Sequence, residues 1–274
     1  MSSFSVLNNI PALEAENNLN NTQMALNTTL QQLASGQRIN SGSDDPAGLA
    51  IANGLQANIS ALNQSAQNAN DGVGALQVAD GALSQVTTLL NSAITIATEA
   101  STGTVSSAQR TSLQSEYSQI LAEIDRIGST TTFNGTSVFT ASTTSVYLTD
   151  GNASSTIGVS VGALSSAGLA LSGTTLAGAT GTPAQTALTA INTAIATIAN
   201  DRGTIGASVN RLQDASAVIN VQVQNLTAAE NGIMSADIPA VISNLSQQSV
   251  LSQTGMAALA QANSQEENVL KLLQ

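Results

Sequence analysis

One unbroken hydrophobic repeat dominates the chain between Leu188 and Ile233, a segment without proline. Apolar residues recur at alternating steps of three and four, the period of 3.5 residues typical of a helix that packs along other helices. The repeat comprises Leu188, Ile191, Ile195, Ile198, Arg202, Ile205, Val209, Leu212, Ser216, Ile219, Val223, Leu226, Glu230 and Ile233. Such a helix would be about 70 Å long and would bury one narrow stripe, so it needs partner helices along its length.

Two further repeats supply those partners. The first runs through Ile59, Leu62, Ala66, Ala69, Val73, Leu76, Asp80, Leu83, Thr87, Leu90, Ile94 and Ala97. The second runs through Leu113, Tyr117, Ile120, Ile124 and Ile127, and Gly128 is expected to end that helix. Three helices with matching repeats predict a mainly α fold built as an elongated, coiled-coil-like antiparallel bundle.

Residues 129–182 differ in composition, being rich in Thr, Ser and Gly and free of Lys and Arg. Short β-like runs occur at residues 137–139, 146–148 and 157–161, and Asp150-Gly151 is a turn signal between the last two. We therefore expect a small β-hairpin region at one end of the bundle.

The two ends of the chain predict weaker helices, separated from the bundle by clear boundary signals. Gly36 can end the first helix, Asp45 before Pro46 can begin the second, and Asp237 can cap the last. Polar residues interrupt both terminal repeats, so we expect the ends to pair and to complete their core only between molecules; a frayed terminal helix is the alternative for residues 1–35. The predicted assembly seam comprises Leu19, Leu26, Leu33, Ile238, Ile242, Leu245, Met256, Leu259, Leu270 and Leu273.

Composition excludes several function classes. Without Cys or His the chain can form no thiol nucleophile, no Ser-His-Asp triad and no ordinary zinc site. An enzyme that uses carboxylates alone is the less favoured alternative, and we predict no catalytic residue, cofactor or metal. Asp44 and Asp45 read as a capped helix start rather than a metal site. A net charge of −11 with six Lys plus Arg argues against nucleic acid. No apolar run is long enough for membrane insertion, and the N-terminus does not read as a cleaved Sec signal.

Several stretches, taken in their order along the sequence, together resemble bacterial flagellins. They are NNLNNTQMAL at 17–26, LASGQRINSGSDDPAGLAIAN at 33–53, NANDGVGALQVADGAL at 68–83, EIDRIGSTTTFNGTSVF at 123–139 and ISNLSQQSVLSQTGMAALAQANSQEENVLKLLQ at 242–274. The resemblance covers nearly all of the chain except the middle of residues 140–182. The short insertion between the bundle halves indicates a minimal flagellin without outer domains.

The resemblance implies a structural subunit of the helical filament used for motility, extracellular and exported through the flagellar type III apparatus. Residues 1–44 and 235–274 would form an inner coiled-coil domain, and residues 45–234 a bundle domain with the hairpin region at about 129–182. Its partners would be further copies of itself, an export chaperone and a cap protein. A hook–filament junction protein of the same superfamily and a secreted coiled-coil adhesin are the alternatives.

Some flagellins are also recognised by an innate immune receptor. The resemblance places that contact patch at Ser92, Ile96 and Glu116, where strongly recognised members have arginine in place of Ser92. We therefore expect weak receptor recognition; alternatively, these positions are ordinary bundle surface. A second departure is Ala229–Ser235, where flagellins often carry a charged cluster.

Overall fold

The computed structural model describes residues 9–140, 144–148, 156–159 and 161–272. Within them the helices are α1 (Ile10–Ser35), α2 (Pro46–Ser101), α3 (Ser107–Thr130), α4 (Thr182–Met234) and α5 (Ile238–Leu272). The strands are β1 (Thr132–Phe133), β2 (Thr136–Ser137), β3 (Thr144–Tyr147) and β4 (Thr156–Val159). The expected mainly α fold with a small β-hairpin region is confirmed.

The chain divides into two compact units. The terminal unit contains Met1–Ala57 and Asn225–Gln274, and the central unit contains Asn58–Gln224. Helices α2 and α4 each contribute residues to both units.

Local signals explain where most helices begin and end. Gly36 ends α1 in the left-handed conformation, with φ of 70°, as its sequence position predicts. The Asp45 carboxylate accepts a hydrogen bond of 2.9 Å from the backbone N–H of Gly48 at the start of α2. Asp237 does the same for the N–H of Ala240, at 3.2 Å. Ser106 and Gln109 form a reciprocal capping box at the start of α3.

In the central unit, α2 and α4 lie antiparallel. The N-terminal half of α2 meets the C-terminal half of α4, since a Cβ on Gly72 would lie 3.2 Å from Leu212 Cδ1. Further along, Arg202 Nε donates to Asp80 Oδ1 at 2.7 Å. Near the opposite ends of these two helices, a Cβ on Gly181 would meet the Ser101 carbonyl. The core therefore follows the length of the helix pair, as the two long repeats predict.

The segment after β4 runs antiparallel to α3 and is tied to it by side chains. Asp125 accepts from the backbone N–H and the hydroxyl of Ser166, at 2.6 and 2.8 Å. The buried Tyr117 hydroxyl lies 2.7 Å from Thr174 Oγ1, and burial raises the pKa of this phenol.

Gly128 does not end α3, contrary to the expectation from sequence. The helix continues to Thr130 and its cap is Thr131. Gly128 is buried in the helix, where a Cβ would lie 1.9 Å from the backbone oxygen of Leu164. Glycine is needed there because the neighbouring backbone approaches too closely for any side chain.

Two small antiparallel hairpins complete the central unit. β3 pairs with β4 from Thr144 opposite Val159 to Tyr147 opposite Thr156. The turn predicted at Asp150-Gly151 lies outside the described residues. β1 pairs with β2 through Asn134 and Gly135, whose φ values of 49° and 77° are those of the tight turn that Asn-Gly favours.

Candidate assembly surface

The terminal unit pairs α1 with α5 in antiparallel orientation. Asn9 Nδ2 donates to Glu266 Oε2 at 2.9 Å near the start of α1. Further along, Thr29 Oγ1 donates to Gln248 Oε1 at 3.0 Å. Beyond the end of α1, Gln37 and Ser235 form an isolated antiparallel bridge. The expected pairing of the two ends of the chain is therefore present within one molecule.

The junction at the base of this pair is held by backbone groups. The N–H of Arg38 donates to the Met234 carbonyl at 2.7 Å, and the N–H of Ala236 donates to the Gly36 carbonyl at 3.0 Å. The Arg38 guanidinium also donates to the Ile233 carbonyl at 2.9 Å. Two backbone hydrogen bonds and the Arg38 side chain thus connect residues 36–38 with residues 233–236.

The contact line between the two helices is thinly apolar. Most predicted seam residues are half-buried: Leu19, Leu26, Leu33, Ile238, Leu245 and Leu259. Thr29 is the fully buried residue of α1, at 6% exposure, and Val241 and Ser252 are buried on α5. A seam with buried hydroxyls and half-covered leucines contributes less than a packed aliphatic core.

Two predicted seam residues lie off this line, and two cannot be placed. Ile242 and Met256 are 48% and 53% exposed, and Val241 and Gly255 occupy the adjoining positions on the contact line. A Cβ on Gly255 would lie 3.4 Å from Leu19 Cδ1, an ordinary contact distance, so Gly255 faces α1 across the seam. Leu273 and the side chain of Leu270 lie outside the described residues.

The outward faces of the terminal unit carry large apolar side chains. On α1, Ile10, Leu13 and Met24 lie opposite the seam, as 3.6 residues per turn requires, and are 58%, 60% and 61% exposed. The full set of exposed large apolar side chains described in this unit is Ile10, Leu13, Met24, Leu30, Ile51, Ile242, Val250, Leu251 and Met256. Ile10, Leu13 and Met24 share one face of α1, which makes that face a candidate contact surface.

Two carboxylates order the turn before α2. Asp44 accepts backbone N–H groups from Asn40 and Ser41 at 2.9 and 2.8 Å, and these bonds lower the pKa of its carboxyl. Asp44 and Asp45 thus both serve the turn before α2. Within the described ranges there is no group of three or more His, Cys, Asp or Glu that could hold a metal ion.

The receptor patch implied by the resemblance lies in the central unit. Ser92 and Glu116 are exposed, and Ser92 Oγ donates to the Thr88 carbonyl at 3.3 Å. Ile96 is buried, at 8% exposure. Two of the three positions are therefore available to a partner on the surface of this unit.

Comparison with known proteins decides the family. The model of the bacterial flagellin N-terminal helical region matches residues 6–144, and that of the C-terminal helical region matches residues 188–273. The chain belongs to the bacterial flagellin family. The matched regions contain all five helices except the first few residues of α4.

Two relatives match this flagellin over nearly the whole of both chains. The chain is 33% identical to the Flagellar filament 30.7 kDa core protein of Treponema maltophilum, covering 93% of this chain and 94% of that protein. It is also 33% identical to a flagellin of Halalkalibacterium halodurans, and this match covers 97% of this chain and 98% of that protein. The crystal structure of Bacillus cereus flagellin matches with 30% identity and a TM-score of 0.49, over 60% of this chain and 94% of that one.

In the part of the chain that the structure describes, no helix combines the length and apolar character needed to cross a membrane.

Proposed function

We propose that this flagellin is a structural subunit that polymerises into an extracellular flagellar filament through the apolar outward faces of α1 and α5. The exposed side chains of the terminal unit support this proposal above all. Under this proposal, residues 1–44 and 235–274 form the assembly domain, and residues 45–234 form the bundle domain.

Burial between copies gives these side chains a physical role. Fully covering a large aliphatic side chain stabilises by about 1.5–3 kcal/mol, so covering the exposed half of each contributes about 1 kcal/mol. The set in the terminal unit then supplies on the order of 10 kcal/mol, which is comparable with the cost of association, about 4–15 kcal/mol. Association through this unit alone is therefore marginal, and cooperative growth on existing ends is favoured over pairing in solution.

The geometry of the surface favours an open polymer. The α1 face with Leu13 and the α5 face with Val250 differ in sequence. A contact between two different faces of identical copies repeats head to tail, and it builds a helical filament unless the rotation closes a ring. Thinly apolar ends also agree with a chain delivered by an export chaperone and assembled under a cap protein.

The role is structural, with no catalytic residue assigned. The receptor patch belongs to the proposal as a weak contact through Ser92 and Glu116, since Ile96 is buried and Ser92 supplies no positive charge. In a receptor reporter assay, Ser92→Arg should raise the response, and a wild-type response equal to that of an arginine-bearing flagellin would contradict this assignment.

Seeded polymerisation tests the filament role. Depolymerised chain, returned to neutral pH with sheared filament fragments, should grow long uniform tubes visible by electron microscopy. Leu13→Asp should prevent this growth because it places a carboxylate in the proposed contact.

Tyr147→Asp is the matched control. It adds the same charge at a 49% exposed apolar residue of the central unit and should grow normally. A wild-type chain that stays monomeric with seeds would contradict the filament role and favour the junction protein or the adhesin. Normal growth of Leu13→Asp would contradict the assignment of the α1 face.

A further inference from the structure

The side chains that react readily with peroxides are confined to one part of this chain. Cysteine and methionine are the residues whose sulfur a peroxide oxidises directly, and the chain has no Cys. Its four methionines are Met1, Met24, Met234 and Met256. All four belong to the terminal unit, and the central unit, Asn58–Gln224, contains none. Oxidation of sulfur therefore falls entirely on the unit that we propose to assemble.

Two of these methionines are open to solvent. Met24 on α1 is 61% exposed, and Met256 on α5 is 53% exposed. Met234, the last residue of α4, is half-buried, and its backbone carbonyl accepts the N–H of Arg38. Met1 lies outside the described residues. Since the oxidation of a thioether follows its exposure to solvent, Met24 and Met256 should react before Met234.

Both exposed thioethers belong to the surfaces that we propose for contact between copies. Met24 shares one face of α1 with Ile10 and Leu13. Met256 lies beside the seam on α5, three residues before the half-buried Leu259 and therefore next to it on the helix surface. Methionine suits such a surface because its side chain is apolar, unbranched and able to adapt to an irregular partner. Covering these faces in a filament would also remove both sulfur atoms from solvent.

Oxidation changes what these side chains can bury. A lone pair on the methionine Sδ attacks one oxygen of hydrogen peroxide, so that an S–O bond forms while the O–O bond breaks. The departing hydroxide takes the proton of the transferred hydroxyl group and leaves as water; the sulfur has lost two electrons and the peroxide has gained them. The product is methionine sulfoxide, a polar side chain with a strong hydrogen-bond acceptor. Burial of that oxygen in an apolar contact is unfavourable because no donor meets it there.

We propose that Met24 and Met256 form an oxidation site that determines whether a free subunit can join the filament. Their sulfoxides prevent addition of the subunit to a growing end, and burial between subunits protects the same two sulfur atoms after addition. This inference rests on the proposed filament function and adds to it a covalent modification that blocks assembly. The block is reversible, because reduction of a sulfoxide regenerates methionine.

Assembly of the oxidised chain is the first test. The full monomeric chain is treated with hydrogen peroxide until peptide mass spectrometry shows an added oxygen at both residues, and the peroxide is removed before seeds are added. Seeded growth should fall at least about tenfold below that of the untreated chain, and methionine sulfoxide reductases should restore it. The control is Met24→Leu/Met256→Leu, which keeps Met1 and Met234. Leucine has a similar volume and no sulfur, so this variant should grow equally well before and after the same treatment.

Protection of the two residues in the filament is the second test. Free chain and finished wild-type filaments are exposed to the same concentration of hydrogen peroxide, and mass spectrometry follows the sulfoxide at each methionine over time. In the free chain, Met24 and Met256 should be oxidised several-fold faster than Met234. In the filament, the oxidation rates of Met24 and Met256 should fall by at least about tenfold, because a buried thioether reacts slowly.

Each outcome decides a different statement. If untreated and oxidised wild-type chains grow equally well, the modification does not control assembly and only the further inference is wrong. If oxidation stops the growth of the leucine variant as well, the block arises at another residue and the inference is again overturned. If Met24 and Met256 react as fast in filaments as in the free chain, neither is buried between subunits, and the inference also fails. If the untreated wild type does not grow from seeds, the proposed filament function itself is wrong.

Discussion

Gly128→Ala should destabilise the central unit, although alanine is the better helix residue. Helix propensity alone would stabilise by about 1 kcal/mol. Opposing this gain, the new methyl group would lie 1.9 Å from the Leu164 backbone oxygen, where an ordinary contact exceeds 3 Å. The segment after β4 must move away from α3 to admit it.

That movement determines the magnitude. Overpacking of a filled site costs about 1–3 kcal/mol. The same displacement strains the two hydrogen bonds from Ser166 to the Asp125 carboxylate, each worth about 1.5–3 kcal/mol. The hydrogen bonds are weakened rather than lost, and the gain in helix propensity is subtracted. We therefore expect the free energy of unfolding to fall by about 2–4 kcal/mol. For a unit of this size the thermal midpoint should fall by roughly 5–15 °C.

Gly81→Ala is the matched control, because it makes the same chemical change in a long helix. A Cβ at Gly81 meets nothing within 4 Å, so this variant should gain about 1 kcal/mol. Thermal and guanidinium unfolding of the full monomeric chain, followed by circular dichroism, measures both. Equal stability of Gly128→Ala and Gly81→Ala would contradict a steric role for Gly128.

Three further predictions concern charged groups. Asp80→Asn should lower the free energy of unfolding at pH 7 by only about 0.5 kcal/mol, since both side chains of the Asp80–Arg202 pair are 40% exposed. Because Arg202 lowers the pKa of Asp80, the stabilisation by this pair is present above the ordinary carboxyl pKa and is lost as the pH falls through the lowered pKa. Asp201→Asn should instead raise the thermal midpoint at pH 7, because burial raises the pKa of Asp201, and a midpoint difference that persists at pH 3 would contradict this. Arg110→Met should lower the free energy of unfolding by roughly 2–4 kcal/mol, since this buried guanidinium donates to the carbonyls of Ala100, Thr102 and Ala179. The control is Arg211→Met at an exposed arginine, which should change the free energy of unfolding by less than about 0.5 kcal/mol. Equal unfolding midpoints for the two arginine variants would overturn the assignment of Arg110.

Much of the fold was predictable because its determinants are local. Helix boundaries at Gly36, Pro46 and Ile238 follow from capping and backbone chemistry that a few adjacent residues specify. The β1–β2 hairpin could also have been predicted, since Asn134-Gly135 is a strong turn signal between short β-like runs.

The contacts of Arg110 and Gly128 could not be predicted in this way. The carbonyl groups that Arg110 binds lie in two separate segments, and one of them is 69 residues away. Nothing in the sequence around Gly128 indicates that the Leu164 backbone approaches it. Both residues serve contacts that exist only after the segments 161–181 and 107–130 have come together.

The 3.5-residue repeat was enough to predict that the long helices pack lengthwise, because periodicity along a helix fixes how often a side chain returns to one face. On α4 the predicted Ile191, Ile198, Ile205 and Leu212 are buried, as the repeat requires. Between them the contact line runs through Ala187, Ala194 and Ser208, one position before the predicted Leu188, Ile195 and Val209, which are half-buried. Only the folded chain shows this shift, because it depends on the facing helix: small residues at these alternate positions let the backbones approach, and the larger neighbours cover the line from the side.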